Sequence, residues 1–412
     1  MPATPVRHPE LLELRSEFPL LARSTYLNTC SLGARSERSR RSLDRVLEQW
    51  DGLGARAWYG HWLGELDGLR EDLGETIGVP AGEVALAPNV SAALAVMASA
   101  LDQVHRGDAG TLERLGAAGI TAGTGPRTRV VTTALDFPTI GHQWLARAPL
   151  GVELVVIPSP DGLTVPLDAF AAAIDERTAL VATGHVFFTT GAVNDLHALA
   201  ELCHDRGALL LIDAYQATGI VPTDVSADGV DIYVSGTLKW LLGGSGTAFC
   251  WVRPALYDAL VPTTTGWFSG SRQFAFEVDA LAFAADARRY ELGTPSMPSA
   301  AIARGGLEVV REVGVVRMSE RTRDLGDLLI SLADEAGLSV RAVRDAERRG
   351  GIVAVEVAEP KPVVDALAAE GIIVDYRPGI VRCSPAFYNT EDEVRLLVER
   401  LSAYVPDSQD SL

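Results

Sequence analysis

Lysine is nearly absent from this sequence of 412 residues, in which Lys239 and Lys361 are the two lysines among 36 basic side chains. Any reaction that needs a lysine amine is therefore confined to two positions. Basic residues as a whole are also outnumbered, because 54 acidic side chains leave a formal charge of −18. A surface this acidic argues against nucleic acid or an anionic membrane as the main partner.

Cysteine is scarce as well, and its four copies form neither a CxxC pair nor any spacing typical of a metal site. They are Cys30, Cys203, Cys250 and Cys383. No apolar run approaches the roughly 18 residues of a membrane span, and the opening residues lack the basic and apolar regions of a signal peptide. Isolated thiols are typical of a reducing compartment. We therefore expect a cytoplasmic protein with structural thiols and no metal site.

Zones of different pattern follow one another along the chain. Residues 10–80 have the apolar spacing of helices, and from about residue 84 short β-branched runs alternate with amphipathic stretches. The near-continuous apolar runs are EVALAP, RVVTTAL, VELVVIP, TALVATGHVFF, ALLLIDA, DIYVSG and TAFCWVR. Such runs predict an α/β fold with a mostly parallel sheet covered by helices on both faces. From about residue 290, helices mixed with shorter strands predict a smaller α+β domain.

This pattern predicts an N-terminal segment over residues 1–35, a large domain over 36–288 and a small C-terminal domain over 289–412. The stretch 107–128 is rich in Gly, Ala and Thr. It reads as a long surface insertion between a helix and a strand.

One segment, residues 209–246, carries the strongest chemical signal. Asp213 closes an apolar strand that has no need of a charge, and Lys239 follows another strand shortly after Ser235-Gly-Thr237. The carboxyl ends of strands are where open α/β sheets collect their ligands. On spacing alone, an Asp213 that caps a helix and a solvated loop lysine explain the pattern equally well.

The residue types in this segment are more informative than their spacing. Asp-x-x-Gln after a strand, then Ser-Gly-Thr-x-Lys and a glycine-rich LLGGSG, resembles the class V aminotransferase superfamily of fold-type I pyridoxal 5′-phosphate enzymes. The resemblance runs in order from Tyr26 to Asn389. It implies a mostly parallel sheet flanked by helices, a smaller C-terminal α+β domain, and a large domain that binds the cofactor.

The resemblance also implies a role for each motif residue. Lys239 would hold pyridoxal 5′-phosphate covalently and later shuttle the α-proton of the substrate. Asp213 would pair with the pyridine nitrogen, and Gln216 would hydrogen-bond the cofactor's 3′-oxygen. Further cofactor contacts are implied for Val90 and Ser91 at a helix N-terminus, for the aromatic ring of Phe137, and for the hydroxyls of Ser235 and Thr237.

Three further positions extend the resemblance. Arg382, in VRCSPAFYNT, matches the arginine that binds the substrate's α-carboxylate in a forked geometry. Trp267 and Thr294 lie in segments that would reach the cofactor phosphate of a neighbouring subunit, which implies a homodimer with shared active sites. His185 matches a strand-end position below the cofactor, although a lone strand histidine is more often structural.

Departures from the motifs narrow the expected reaction. Cysteine desulfurases carry a cysteine on a loop shortly before the matching arginine, and this chain has no cysteine there before Arg382. Phe137 occupies the position at which they stack a histidine. Leu238 replaces the tyrosine that kynureninases carry just before the lysine. We expect a lyase that acts on an amino acid by β-elimination, with carbon–sulfur cleavage of a cysteine conjugate favoured. Transamination, epimerisation and decarboxylation stay open, as does a scaffold protein that binds no cofactor.

Overall fold

The computed structural model describes residues 5–121 and 123–404. Its helices are α1 (Glu37–Leu53), α2 (Leu63–Ile77), α3 (Val90–Ala100), α4 (Asp102–Arg106), α5 (Ala109–Ala117), α6 (Pro138–Leu145), α7 (Leu167–Ala173), α8 (Leu196–Asp205), α9 (Met297–Val313), α10 (Val315–Glu335), α11 (Pro360–Ala369) and α12 (Glu391–Tyr404). Its strands are β1 (Thr25–Tyr26), β2 (Val84–Ala87), β3 (Arg129–Thr133), β4 (Glu153–Ile157), β5 (Thr178–Gly184), β6 (Leu209–Asp213), β7 (Ile232–Gly236), β8 (Ala248–Val252), β9 (Val340–Arg341), β10 (Val353–Glu356), β11 (Ile372–Ile373), β12 (Asp375–Arg377) and β13 (Ile380–Cys383).

A seven-stranded sheet in the order β2-β8-β7-β6-β5-β3-β4 forms the centre of the molecule. Its strands run parallel except β8, which is antiparallel to both neighbours. Every residue of β5, β6, β7 and β8 is buried, as expected for strands covered on both faces. The prediction of an α/β fold with a mostly parallel sheet is confirmed.

The carboxyl ends of the parallel strands lie at one edge of this sheet. Pairing of β6 with β7 places Asp213 beside Val234 and sets β6 next to the strand that leads to Lys239. On the other side of β6, Gly184 at the end of β5 pairs with Asp213. Parallel pairing therefore brings segments that are distant in sequence to the same edge.

The C-terminal part forms a second, antiparallel sheet in the order β12-β13-β10-β9. Helices α10 and α11 pack against it and α12 packs against these two helices, around a core that includes Leu329, Leu367, Val381 and Leu397. The N-terminal segment joins this part, because β1 pairs in parallel with β11. Helix α9 instead packs against α1 and α2 of the large core.

The stretch 107–128 differs from the surface insertion that its composition predicts. It contains α5, which Asp108 caps at the N-terminus by accepting a hydrogen bond from the Thr111 backbone. Leu112, Leu115 and Ile120 are buried in the core that also contains α3. The stretch does lie between a helix, α4, and a strand, β3, and much of it is exposed. Its buried part differs from the prediction because the leucines at i and i+3 give α5 one apolar face.

None of the helices formed by residues 5–121 and 123–404 combines the length and the apolar character that crossing a bilayer requires.

Candidate active site

A cavity of about 300 Å³ opens at the carboxyl ends of β6 and β7. The motif residues that line it are Val90, Ser91, Phe137, Asp213, Gln216, Lys239 and Arg382. They come from segments spread over almost 300 positions of the chain, so the fold assembles them. The cavity is the candidate active site.

Lys239 lies inside this cavity, on the loop that follows β7. Its Nζ lies 4.3 Å from the centroid of the Tyr215 ring. Burial lowers the pKa of the amine to about 8, while the negative charge of Asp213 acts in the opposite direction. A lysine in this state keeps a substantial neutral fraction near neutral pH, so its amine can act as a nucleophile or a proton carrier.

Asp213 is a buried carboxylate at the end of β6. Its Oδ1 accepts a hydrogen bond from the Tyr215 backbone N at 3.0 Å. Burial raises its pKa, and the positive charge of Lys239 works against that rise. Among the residues that the structure describes, no hydrogen-bond donor serves Oδ2. A cationic or N–H donor group in the cavity would satisfy this oxygen and favour the ionised carboxylate.

Gln216 joins the cavity wall to the N-terminal segment. Its Nε2 donates to the Cys30 carbonyl at 2.9 Å, and its Oε1 accepts from the Trp240 indole at 3.1 Å. The backbone N of Gly33 donates to the Leu238 carbonyl at 2.9 Å. A side chain at Gly33 would collide with the Lys239 carbonyl, so the close approach of these two loops requires glycine. The N-terminal segment thereby fixes the loop that carries the lysine.

Helix α3 begins at the cavity with Val90 and Ser91. Asn89 caps it, because its Oδ1 accepts from the Ala92 backbone N at 2.9 Å. The Ser91 and Thr139 hydroxyls lie 3.2 Å apart. Free backbone N–H groups, a helix dipole and two hydroxyls form a suitable cradle for an anion such as phosphate.

Phe137 stands at the rim of the cavity, 46% exposed, with its ring 5.2 Å from that of Phe188. The preceding residue, Asp136, fixes the turn. Its carboxylate accepts hydrogen bonds from the Gly184 backbone N at 2.6 Å and from the Thr133 backbone N at 2.8 Å, among others. Burial nevertheless raises the pKa of Asp136 to about 6. The turn therefore holds the aromatic ring in place over the cavity.

Arg382 is buried on the opposite, C-terminal side of the cavity. One Nη donates to the Phe188 carbonyl at 2.7 Å, and the other donates to Ser31 Oγ at 2.8 Å and Asp375 Oδ2 at 2.7 Å. Asp375 also accepts from the Ser31 hydroxyl and from Arg377 at 2.9 Å. The Ser31 hydrogen bond and the two arginines lower its pKa against the effect of burial. Two arginines around one ionised aspartate leave net positive charge, which attracts a carboxylate.

Two of the predicted hydroxyl donors do not face the cavity. Ser235 is buried and its Oγ lies 3.3 Å from the Ala214 carbonyl, to which it donates. Thr237 is also buried, and its hydroxyl is turned toward the Gly244 and Thr247 carbonyls at 3.3 and 3.1 Å. Backbone carbonyls near the lysine loop take up both hydroxyls in this chain.

The residues predicted to reach a partner subunit lie away from Lys239. Trp267 is 42% exposed and packs against Phe274 and Phe276. Thr294 is exposed and lines a separate cavity of about 220 Å³ with residues such as Pro88 and Glu291. Their predicted role concerns a second chain and stays a prediction.

His185 lies next to the site without lining the cavity. Its backbone N donates to the Asp213 carbonyl at 2.9 Å. Burial lowers the pKa of its ring to about 4, so the imidazole is neutral at physiological pH. Among the described residues, its buried Nδ1 has no hydrogen-bond partner.

Several cavity residues have no counterpart in the sequence prediction. They are Cys30, Ser31, Asp136, Tyr215 and Arg377. Asp136 and Tyr215 adjoin the motif residues Phe137 and Gln216 in sequence, and this adjacency is a signal that could have found them. Cys30 and Ser31 lie in the polar run TYLNTCS, which reads as a turn. Buried Cys30 forms part of the cavity wall, and the expectation that the four cysteines are structural stays a prediction.

The chemistry of this set fits pyridoxal 5′-phosphate. Lys239 would hold its aldehyde carbon, Asp213 would accept from its ring nitrogen, and the N-terminus of α3 would hold its phosphate. The Oδ2 atom of Asp213 is the strongest support for this fit, because a protonated ring nitrogen would supply the hydrogen-bond donor that the described residues do not provide there. Arg382 would remain to bind a substrate carboxylate.

Comparison with known proteins is consistent with this fit. A model of the family "Aminotransferase class-V" matches residues 110–397. The uncharacterized aminotransferase YcbU of Bacillus subtilis (strain 168) is 32% identical over 394 residues, which cover 95% of this chain and 97% of that protein. Kynureninase of Pseudomonas fluorescens is 32% identical over 397 residues, which cover 93% of this chain and 90% of that protein.

Solved structures share the fold. The apo cysteine desulfurase of Thermococcus onnurineus NA1 matches with a TM-score of 0.83 at 20% identity and covers 98% of this chain and 99% of that chain. The cystine C-S lyase C-DES, in complex with cysteine persulfide, matches with a TM-score of 0.82 at 21% identity and covers 94% of this chain and 100% of that chain.

Proposed function

Because the chain belongs to the class-V aminotransferase family, whose cofactor is pyridoxal 5′-phosphate, we propose that it is a lyase that cleaves the Cβ–S bond of S-conjugated cysteines by β-elimination. The balanced reaction consumes one water and converts the conjugate to a thiol, pyruvate and ammonia. The bound cofactor supplies an electron sink that stabilises negative charge at the substrate's α-carbon.

Three side chains of the cavity perform the remaining work. Arg382 binds the α-carboxylate and orients the amino acid. Lys239, whose pKa burial lowers to about 8, takes the α-proton at Nζ. Asp213 would accept a hydrogen bond from the cofactor's ring nitrogen and would keep that nitrogen positive.

The identity of Leu238 is the observation that carries the choice of elimination. This alkyl side chain lines the cavity beside Lys239, where the kynureninase motif places a tyrosine. Hydrolytic cleavage of a carbon–carbon bond needs a positioned acid, whereas a thiolate leaves with little help from an acid. A wall with leucine at this position therefore favours carbon–sulfur cleavage.

Transamination is the second candidate, and a specific observation supports it. The relative from Bacillus subtilis that is 32% identical over nearly the whole chain is named an aminotransferase. The α-proton that Lys239 removes is common to both reactions, and to epimerisation, so this lysine does not distinguish them.

The purified enzyme, incubated with an S-conjugated cysteine, tests the proposal. We expect thiol, ammonia and pyruvate in equal amounts without any added keto acid. Alanine, which has no leaving group on Cβ, serves as the matched substrate control and should give no pyruvate with or without an added keto acid. Turnover of both amino acids that depends strictly on a keto acid would identify a transaminase instead.

We further propose that two copies share their active sites in a homodimer. An exposed apolar surface around Trp267, with Phe276 67% and Val278 100% exposed, supports an interface in this region. Thr294→Ala should weaken cofactor retention, and mixing this variant with Lys239→Ala should restore activity through one undamaged site. A monomer in solution at working concentration would exclude sharing.

A cytoplasmic location is part of the same proposal. The four cysteines are buried and unpaired, which suits a reducing compartment. Fractionation of the native host, with the protein detected by antibody, tests this location.

A further inference from the structure

Tyr215 is the cavity residue closest in sequence to the predicted acid, yet no motif assigns it a role. It follows β6 two positions after Asp213, and its backbone N donates to the Asp213 carboxylate at 3.0 Å. Its ring lines the cavity together with Lys239. The tyrosine is therefore anchored to one catalytic candidate and faces another.

The face of the Tyr215 ring meets the lysine amine. Nζ of Lys239 lies over the ring, 4.3 Å from its centroid. The face of an aromatic ring is electronegative, so it stabilises the ammonium form and attracts electron-poor groups. Any group that Lys239 holds covalently begins at this nitrogen and must therefore lie near this face.

Room for the ring depends on Gly236 at the end of β7. A Cβ atom at this position would lie 2.6 Å from Cε2 of Tyr215 and 3.0 Å from its hydroxyl oxygen. Both distances are shorter than normal packing allows, so a larger residue would displace the tyrosine. The backbone at Gly236 and the apolar cluster that contains Val90 and Val234 hold the ring from behind.

A second aromatic side chain, Phe137, lines the same cavity after β3. Strand β5 separates β3 from β6 in the sheet, which sets the ends of these two strands about 10 Å apart. A planar ring in van der Waals contact on both faces needs walls about 7 Å apart, so side chains that extend from these two strand ends can leave room for one. The cavity thus has aromatic side chains on two strand ends, Phe137 after β3 and Tyr215 after β6, and Lys239 follows the next strand, β7.

We propose that Tyr215 forms a second aromatic wall of the cofactor site, with Phe137 as the first, and that Gly236 is the residue that makes room for it. The inference rests on the proposed function, because it takes pyridoxal 5′-phosphate as the bound group. In this proposal the aromatic ring of Tyr215 contacts the cofactor, and its hydroxyl does not take part. Its hydroxyl stays protonated, since burial raises its pKa to about 12.

The test uses binding and a spectroscopic signal rather than turnover. Apo-enzyme is titrated with pyridoxal 5′-phosphate while the dissociation constant and the induced circular dichroism of the bound cofactor are measured. Tyr215→Phe keeps the ring and should stay within about twofold of the wild type. Tyr215→Ala removes the ring and should weaken binding about tenfold and reduce the dichroic band. Tyr404→Ala, the same change on α12 far from the cavity, is the matched control.

Gly236 provides an independent arm of the test. Gly236→Ala should displace the ring and weaken binding in the wild-type background, but it should add nothing in the Tyr215→Ala background, where no ring remains to be displaced. This non-additivity would tie the two positions together. If Tyr215→Ala fails to fold by far-ultraviolet circular dichroism, a folded Gly236→Ala with wild-type affinity and dichroism would overturn the proposal.

Two other results would also overturn it, and a third separates it from the proposed function. Tyr215→Ala with wild-type affinity would show that the ring is dispensable. Tyr215→Phe that loses as much as Tyr215→Ala would assign the effect to the hydroxyl. A wild-type protein that binds no pyridoxal 5′-phosphate would refute the proposed function itself, whereas the first two results leave that function intact.

Discussion

The two lysines of this protein lie in regions with opposite physical character. Lys239 lies in the cavity at the end of β7, where burial lowers its pKa to about 8. Lys361 lies exposed in the first turn of α11, where Nζ is 2.6 Å from Asp365 Oδ2 and this ion pair raises its pKa. The same amine is thus poised for chemistry in one region and held as a solvated cation in the other.

The difference comes from the partners that each region offers. On α11 a carboxylate four residues later neutralises the charge at a helix surface, and water completes the solvation. In the cavity, an aromatic face and a buried aspartate replace water, and they do so incompletely. Incomplete solvation of the cation is what makes the amine available, so burial without a close ion pair marks the functional lysine.

Removing each lysine in turn gives the largest expected contrast. Lys239→Ala should abolish both turnover and covalent attachment of the cofactor, because the nucleophile and the proton carrier disappear together. Lys361→Ala, the matched control, should leave both unchanged. Borohydride reduction followed by peptide mapping should place the cofactor on Lys239. A label on Lys361, or on neither lysine, would contradict the assignment.

Asp213→Asn should produce the next largest effect. The amide keeps the shape of the side chain but cannot hold the cofactor's ring nitrogen in its positive form. We expect turnover to fall at least about a hundredfold, which corresponds to ~2.7 kcal/mol in the chemical step. Steady-state kinetics and the absorption band of the bound cofactor would both report the change. Near-wild-type turnover would mean that the buried carboxylate has no part in the chemistry.

Arg382→Lys extends the comparison to the other side of the cavity. The arginine donates to Phe188, Ser31 and Asp375 at once, and an ammonium group cannot reproduce this forked geometry. We expect the KM of substrates that carry an α-carboxylate to rise about tenfold with a smaller change in kcat. Analogues without a carboxylate should be equally poor substrates of the wild type and of Arg382→Lys. An unchanged KM would remove Arg382 from the substrate site.

The sequence predicts the parts of this site that depend on strand ends. The apolar run that ends at Asp213 and the run that leads to Lys239 specify two strands, and the strand ends of a parallel sheet meet. Helix α3 is equally predictable, because Asn89 caps an apolar helical stretch. The confirmed elements are therefore those whose signals are local.

The parts that could not be predicted depend on contacts between distant segments. Ser31 and Cys30 reach the cavity because β1 pairs with β11 nearly 350 positions later, and no local pattern encodes that pairing. Ser235 and Thr237 turn to backbone carbonyls that the chain supplies only after it folds. Tyr215 becomes visible as a cavity wall only when the sheet places Gly236 beside its ring.

The smallest expected effect is a shift in the pH at which each lysine becomes reactive. The neutral amine is the nucleophile, so its reaction with a limiting amount of acetic anhydride should increase as the pH rises through the pKa. For Lys239 in the apo-enzyme the midpoint should lie at about pH 8, because burial destabilises the charged amine and so lowers its pKa to this value. For Lys361 it should lie above the usual 10.5, because the Asp365 ion pair favours the charged form.

Asp213→Asn removes a negative charge that raises the pKa of Lys239, so it should move the midpoint of Lys239 further down and leave that of Lys361 unchanged. Mass spectrometry of the two labelled peptides measures both midpoints in one sample. Equal midpoints for the two lysines would show that burial does not lower the pKa of Lys239. An upward shift of the Lys239 midpoint in Asp213→Asn would show that the charge of Asp213 does not raise that pKa.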